Sequence, residues 1–146
     1  NKNIGRMVAY LGSVKGEVAT FATLLLGMSD EDQLTLCTYL GTPTRFYKFS
    51  RVTNLILERF KIGLDTDAVM KLFEDADAFR KPQVFIEALN IVERVQWNID
   101  KYKIHGALLV CQSVDANEFV DMGLVGKEVG EHLRLRRLKI IRDILK

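Results

Sequence analysis

The chain has 146 residues, of which 48% are hydrophobic and 27% charged, and its 21 Lys or Arg against 19 Asp or Glu give a net charge of +2. So much apolar surface excludes a disordered chain. No apolar run approaches the roughly 20 residues of a membrane span. The chain has two Cys and two His, which argues against a disulfide-built secreted domain or a metal cage. A basic start followed by an apolar run is absent, so we expect no signal peptide and a cytoplasmic protein, either complete or a fragment of a longer one.

Helices are predicted along the first part of the chain, because prolines are rare and apolar residues recur with a 3.6-residue period. The first helix ends before Ser29, which is a good N-cap for a second helix that stops at Gly41. Thr42 as the cap and Pro43 as the first helical residue begin a third helix, which runs to about Phe60.

The middle of the chain is predicted to hold three more helices. Asp65 or Thr66 caps the fourth helix, and Pro82 begins the fifth. The polar residues 98–103 are predicted to form a loop, followed by a short helix around Leu108.

The last part of the chain is predicted to hold a short helix and a long one. Asp115, with Glu118 three residues later, resembles a capping box in which Asp replaces Ser or Thr. Gly123 and Gly126 end that helix and open the last one, from about Lys127 to Leu145.

No segment alternates apolar and polar residues for long enough to predict a strand. The predicted fold class is therefore all-α, with about seven or eight helices. Two organisations fit this pattern: a single helical unit over residues 1–146, or a helical body over residues 1–99 followed by C-terminal tail helices over residues 104–146.

Several kinds of catalytic and metal site are absent from the sequence or poorly placed in it. The chain has no P-loop motif and no H-E-x-x-H pair, and His105 and His132 lie far apart. Gly123–Gly130 follows no predicted strand and is not G-x-G-x-x-G, which favours a helix cap over a phosphate loop. Asp75 and Asp77 form a D-x-D between helical segments, where a solvated or capping role is favoured over Mg²⁺ binding.

Three other residues with chemical potential are predicted to have packing roles. Cys37 and Cys111 lie in apolar surroundings in the sequence and are predicted to be core residues. Trp97 ends a predicted helix beside a loop, which favours a half-buried packing position over a surface for base stacking.

The charge is concentrated in the last helix, because residues 126–146 carry seven Lys or Arg and three acidic residues, a net charge of +4 that leaves −2 for the rest. On a helical wheel one arc is apolar and Arg137 falls inside it, where it is predicted to extend to solvent or to pair with a buried carboxylate. A second arc is basic, with His132 beside it and Leu135 within it. The apolar arc contains Val125, Val129, Leu133, Ile140, Ile141 and Ile144, and the basic arc contains Arg136, Lys139, Arg142 and Lys146.

The basic arc has two interpretations. It is either a solvated face with cations favourably placed near a helix C-terminus, or a strip that contacts phosphates and releases their counterions. Charge and spacing alone do not decide between these two roles.

Two blocks of sequence, residues 71–89 and residues 110–145, resemble the C-terminal half of bacterial CCA-adding enzymes, the tRNA nucleotidyltransferases related to poly(A) polymerase. The first block resembles that family's D-A-W-R-K-P segment over residues 77–82, with Phe79 in place of Trp. The second block resembles the family's G-x-x-G-x-x-I-x-x-x-L-x-x-x-R pattern. The residues at the motif positions are Asp77, Phe79, Arg80, Lys81 and Pro82 in the first block, and Gly123, Gly126, Val129, Leu133 and Arg137 in the second.

The resemblance implies a tRNA-binding helical region of a CCA-adding or poly(A) polymerase-like enzyme, whose catalytic head lies outside this chain. In that family the head carries a G-G-x-V-R-D motif and a metal-binding D-x-D on a strand, and neither can be placed here. This chain alone is therefore predicted to be non-catalytic and to hold no cofactor, since Mg²⁺ and CTP or ATP are expected only for the head. The expected partner is tRNA or another structured RNA, and neither DNA nor a membrane.

The resemblance also favours two groups of RNA-binding candidates. The first group is the basic arc of the last helix, Arg136, Lys139, Arg142 and Lys146. The second is Arg80 with Lys81, for which capping and packing within the motif is the alternative. Some members of the family carry an H-D-x-G-K phosphohydrolase motif, which would fall near residues 24–29, and this chain reads LLLGMS there.

Two other hypotheses remain beside the tRNA-binding one. The chain is alternatively a stand-alone helical interaction module that descends from this family and binds protein. It is otherwise a degenerate phosphohydrolase-like domain with a regulatory role, for which the absence of a His-Asp pair predicts no bound transition metal.

Overall fold

The computed structural model describes residues 16–96 and 100–146, and over these ranges the chain forms eight helices and no strand. The predicted all-α fold class is therefore confirmed. No helix in the described ranges combines the length and the apolar character needed to cross a membrane. The helices are α1 (Glu17–Leu24), α2 (Asp30–Leu40), α3 (Thr44–Ile62), α4 (Thr66–Asp75), α5 (Pro82–Val95), α6 (Lys101–Gln112), α7 (Asn117–Asp121) and α8 (Lys127–Leu145).

Local side-chain chemistry sets several of the helix ends, as the sequence predicts. The Ser29 hydroxyl accepts a hydrogen bond from the Asp32 amide at 3.1 Å and caps α2, which ends at Gly41 in the left-handed conformation with φ 64°. Asp65, rather than Thr66, caps α4, because its carboxylate accepts a hydrogen bond from the Ala68 amide at 2.8 Å. Pro82 is the first residue of α5, where its missing N–H leaves no helical hydrogen bond unmade.

The predicted loop over residues 98–103 is wrong at its C-terminal end. Helix α6 begins at Lys101, and the Asp100 carboxylate caps it by accepting a hydrogen bond from the Lys103 amide at 3.2 Å. The first turn of α6 is polar and Tyr102 is exposed, so the apolar period used for the prediction begins only one turn later. Trp97 lies outside the described residues, so its half-buried packing role stays a prediction.

Two predicted caps form different local structures. The Thr42 hydroxyl donates to the Cys37 carbonyl at 3.3 Å, so it closes the helix before it, and Pro43 occupies the N-cap position of α3. Asp115 accepts a hydrogen bond from the Asn117 amide at 2.9 Å, two residues along the chain. This contact is an Asx turn rather than the predicted capping box.

Helix α3 lies at the centre of the fold and packs against α1, α2, α4 and α5. Helix α8 covers the other side of α4 and also packs against α6 and α7. The core between these helices is a continuous cluster of buried residues that includes Phe49 and Ile56 of α3, Phe73 of α4 and Ile141 of α8. Both cysteines, Cys37 and Cys111, are buried, as predicted. Packing against α4 and α6 therefore fixes which side of α8 faces solvent.

Candidate nucleic-acid interface

Two glycines with left-handed backbone conformations form the entry to α8, as the sequence predicts. Gly123 has φ 89° and follows α7, and the Leu124 amide donates to the Phe119 carbonyl at 3.1 Å to close that short helix. Gly126 has φ 57° and immediately precedes α8. L side chains rarely adopt such φ values, which explains the glycines in terms of backbone geometry.

The packed side of α8 is centred on Ile141, which is fully buried against α4 and α6. Four other apolar residues of the helix are partly buried against the same core: Leu138, Ile140, Ile144 and Leu145. The predicted apolar arc is wrong at Val125, which is 73% exposed because it precedes the helix in the turn between the two glycines.

The opposite side of α8 is basic and exposed. We call Arg136, Lys139, Arg142 and Lys146 the α8 basic face. Within the described ranges, no carboxylate lies within the 4.0 Å ion-pair distance of Arg136, Lys139 or Arg142, whereas Lys146 Nζ lies 3.9 Å from Asp143 Oδ1. The four side chains are exposed. Leu135 lies on this face and is 63% exposed, and His132 is exposed beside it with its ring 5.9 Å from that of Phe119.

Arg137 points away from the α8 basic face and into the protein. Its guanidinium carbon lies 4.0 Å from the centroid of the Phe79 ring, and its Nε donates a hydrogen bond to the Cys111 carbonyl at 3.3 Å. Burial lowers the pKa of the guanidinium from its ordinary value. The wheel therefore placed Arg137 on the correct side. Of the two predicted environments, solvent or a buried carboxylate, the carboxylate is wrong, because an aromatic ring and a backbone carbonyl take its place.

The turn before α5 holds the other predicted residues. Asp77 has φ 54°, a left-handed conformation that Asp tolerates, and its carboxylate accepts a hydrogen bond from Arg80 Nε at 2.7 Å. This hydrogen bond lowers the pKa of Asp77 and raises that of Arg80. Lys81 is exposed, directly precedes α5 and has no carboxylate within 4.0 Å in the described part of the chain.

The D-x-D of the sequence does not form a paired-carboxylate site. Asp75 Oδ2 accepts a hydrogen bond from Arg59 at 2.9 Å and also lies 3.5 Å from Lys71 Nζ, whereas Asp77 pairs with Arg80. Among the described residues there is no group of three or more His, Cys, Asp or Glu side chains arranged to hold a metal ion.

The two blocks of sequence that carry the resemblance meet in the folded protein. Beside the contact between Phe79 and Arg137, the Gln112 side-chain amide donates to the Phe79 carbonyl at 3.2 Å, and Arg134 Nε donates to Glu74 at 3.0 Å. The motif residues Phe79 and Arg137 therefore have a direct tertiary role, which their separate positions in the sequence did not reveal.

The side chain of Asn54 binds the backbone of residues 24–29. The Asn54 side chain donates to the Leu25 carbonyl at 3.0 Å and accepts from the Gly27 amide at 2.7 Å, so α3 holds the turn between α1 and α2. Asn54 therefore positions this turn against α3. Sequence reasoning did not single out this residue.

Sequence reasoning also missed two cations of α3. Arg45 and Lys48, one helical turn apart, line a groove together with Arg80 and Lys81. The i, i+3 spacing of the first two was visible in the sequence, but the approach of Arg80 and Lys81 depends on how the turn before α5 packs.

Comparison with known proteins gives a sequence relationship. The chain is 31% identical over 92 residues to a protein named Multifunctional CCA protein from Thioalkalivibrio sulfidiphilus (strain HL-EbGR7), and the matched region covers 57% of this chain and 22% of that protein. The chain thus spans about a fifth of the length of this relative and is related in sequence to a CCA protein. No family model matches the chain, and no solved structure matches it.

Proposed function

We propose that this chain is the tRNA-binding C-terminal helical region of a tRNA nucleotidyltransferase, CCA-adding or poly(A) polymerase-like. Its role is to position tRNA for a catalytic head that is outside this chain. The observation that carries the proposal is the state of the α8 basic face, in which Arg136, Lys139 and Arg142 are exposed and lack a carboxylate within 4.0 Å in the described ranges. The sequence relationship to a CCA protein supports tRNA as the RNA concerned.

The geometry of the α8 basic face suits a phosphate backbone. Arg136 and Lys146 are ten positions apart, so the face extends for roughly 15 Å along the helix and can contact several phosphates. Packing of Ile141 against the core holds these cations on one rigid element. Each phosphate that they neutralise releases condensed counterions, which favours binding at low salt. Structured RNA is largely recognised through its shape and backbone, which matches a surface of cations.

A protein-binding module is the second candidate, and exposed apolar residues favour it. Met122, Val125 and Leu135 are 72%, 73% and 63% exposed, and they lie before or on α8. Apolar side chains in solvent are a common feature of protein interfaces. The full gene separates the two candidates, because an upstream head with its Gly-rich motif and D-x-D supports the first candidate and a gene without one supports the second.

The proposal is tested by removing two charges from the α8 basic face. Lys139→Gln with Arg142→Gln should weaken binding of a tRNA transcript and flatten the slope of log affinity against log salt by about two units. Both residues are exposed, so the midpoint of thermal unfolding should change little. A matched control, Lys61→Gln with Lys103→Gln, removes two exposed cations from α3 and α6 and should bind as the parent does. Parent-like affinity and salt slope in the α8 variant would show that this face is only solvated.

A further inference from the structure

A groove lies between α3, the turn formed by residues 76–81 and the start of α5. It encloses about 540 Å³ and is lined by side chains from these segments. We call it the α3 groove. Its floor is apolar and includes Phe49, Val52 and Val84. Its rim carries five cations, Arg45, Lys48, Arg51, Arg80 and Lys81, and three acids, Asp75, Asp77 and Glu87.

Most of the acidic groups at the rim already have cationic partners. Asp75 is paired with Arg59 at 2.9 Å, and Asp77 accepts the hydrogen bond from Arg80. Glu87 is the remaining acid of the lining, on α5. Among the described residues, Arg80 is thus the one rim cation that pairs with an acid of the rim.

Three cations of the rim have no ion pair among the described residues. Lys48 and Lys81 are exposed and have no carboxylate within 4.0 Å, and the same holds for Arg45, whose guanidinium carbon lies 5.3 Å from the Phe46 ring centroid. Arg51, by contrast, lies 3.5 Å from Asp30. The fold thus brings unpaired cations from two distant segments to one groove, where an anion would relieve their mutual repulsion.

We propose that the α3 groove is a second RNA contact, in which a phosphodiester segment lies along Arg45, Lys48 and Lys81. This inference rests on the proposed function, since it takes the anion to be part of the same tRNA that contacts the α8 basic face. Flexible cations at a groove rim match a backbone of repeated phosphates, and the apolar floor offers a surface for the sugar or base between them.

The fold connects the groove to the α8 basic face. Lys81 lies two residues after Phe79, whose ring stacks with Arg137, and Arg137 is adjacent to Arg136. The turn that carries Lys81 is therefore fixed against the helix that carries the other candidate contacts. A fixed relative position lets one rigid RNA touch both surfaces without the entropic cost of ordering them, and the contact between Phe79 and Arg137 contributes to it.

The test replaces one lysine from each side of the groove, Lys48→Gln with Lys81→Gln. We expect tRNA affinity to fall about fivefold to tenfold and the salt slope to flatten by about two units, because two phosphate contacts are lost. The control is again Lys61→Gln with Lys103→Gln, which should stay within about twofold of the parent. Lys48→Arg with Lys81→Arg keeps both charges and should bind as the parent does, which separates loss of charge from loss of structure.

The outcomes distinguish this inference from the proposed function. If the groove variant binds like the control while the α8 variant is weakened, the groove contact is wrong and the proposed function stands. If the groove variant is weakened while the α8 variant is not, the groove contact stands and the α8 contact falls. A parent chain that binds no tRNA overturns both. If the groove variant binds tRNA as the parent does but loses the parent's binding to phosphatidylserine vesicles, the groove is assigned to a membrane surface instead.

Discussion

Arg137 has a structural environment although it belongs to the most basic helix of the chain. Its guanidinium stacks on Phe79, its Nε donates to the Cys111 carbonyl, and its own carbonyl accepts a hydrogen bond from the Cys111 thiol at 3.6 Å. These contacts join α8 to α6 and to the turn before α5. A cation at this position therefore contributes to stability, whereas the cations of the α8 basic face are proposed to contribute to binding.

Replacing Arg137 by Gln should destabilise the protein by about 1–3 kcal/mol, because the stacking on Phe79 and a charge-assisted hydrogen bond are both lost. Chemical denaturation measures this free energy directly. Arg137→Gln combined with Phe79→Leu should cost less than the sum of the two single changes, by about 1 kcal/mol. Strict additivity of the two changes would show that the ring and the guanidinium are not energetically coupled.

The partner of Arg137 shows what could and could not be predicted from the sequence. The helical wheel placed Arg137 among apolar residues, which required only the 100° step between residues. It did not identify Phe79, because that contact depends on how the turn before α5 packs against α8. The same limit applied to Arg45 and Lys48, whose shared groove with Lys81 exists only in the folded chain.

Cys111 gives the stability a predictable dependence on alkaline pH. Burial raises the pKa of its thiol from 9.0 to about 11. Above pH 9 the unfolded chain loses this proton while the folded chain keeps it. The contribution of the buried neutral thiol to the free energy of unfolding is therefore fully present below pH 9 and is lost as pH rises to about 11. Cys111→Ala should lower stability at neutral pH, and its deficit relative to the parent should shrink across this range. A deficit that is constant with pH would contradict a thiol kept protonated by burial.

Two glycines, one in the turn before α8 and one within the helix, form a matched pair for a prediction about this element. Gly123 has φ 89° and Gly130 lies within the helix, and an added Cβ would meet nothing within 4 Å at either position. Gly123→Ala should therefore cost about 1–2 kcal/mol for the left-handed backbone, and Gly130→Ala should gain up to about 1 kcal/mol from helix propensity.

Thermal unfolding of the two variants measures the difference, since one midpoint should fall and the other should rise. Equal shifts in the same direction would show that backbone conformation does not govern the entry to α8.

The helix ends were predictable where a local hydrogen bond determines them. Ser29, Asp65 and Gly41 act within three or four residues of their own position, so their roles follow from the residue type and its neighbours. The start of α6 was missed because its first turn exposes polar side chains, and only Asp100 marks it. Thr42 was assigned to the wrong helix, because its hydroxyl is close enough to bond the preceding carbonyl.

At the scale of the whole molecule, the core contacts and the exposed basic residues of α8 lie on different sides of the helix. Helix α3 organises the helices of the first two thirds of the chain, and α8 packs on α4 and α6 while its basic face remains in solvent. The all-α architecture was predictable from the 3.6-residue apolar period. The packing order of the helices was not, because it depends on contacts between residues far apart in the sequence.

The purified chain alone should transfer no nucleotide to tRNA. Phosphoryl transfer needs a metal-held triphosphate and an aligned hydroxyl, and no motif of the sequence supplies the first of these. Incubation with tRNA, Mg²⁺ and labelled CTP or ATP should therefore leave the label unincorporated. Incorporation above that of a heat-denatured sample would place a catalytic site within this chain and contradict the proposed division of labour with a head.

Titration of the intact chain with a tRNA transcript at a series of salt concentrations tests the central claim most directly. If the α8 basic face neutralises three or four phosphates, log affinity should fall linearly with log salt with a slope of about −3, and contact in the α3 groove should steepen it by about two units. A slope near zero, or no binding at low salt, would contradict an RNA-binding role and favour the protein-interaction module.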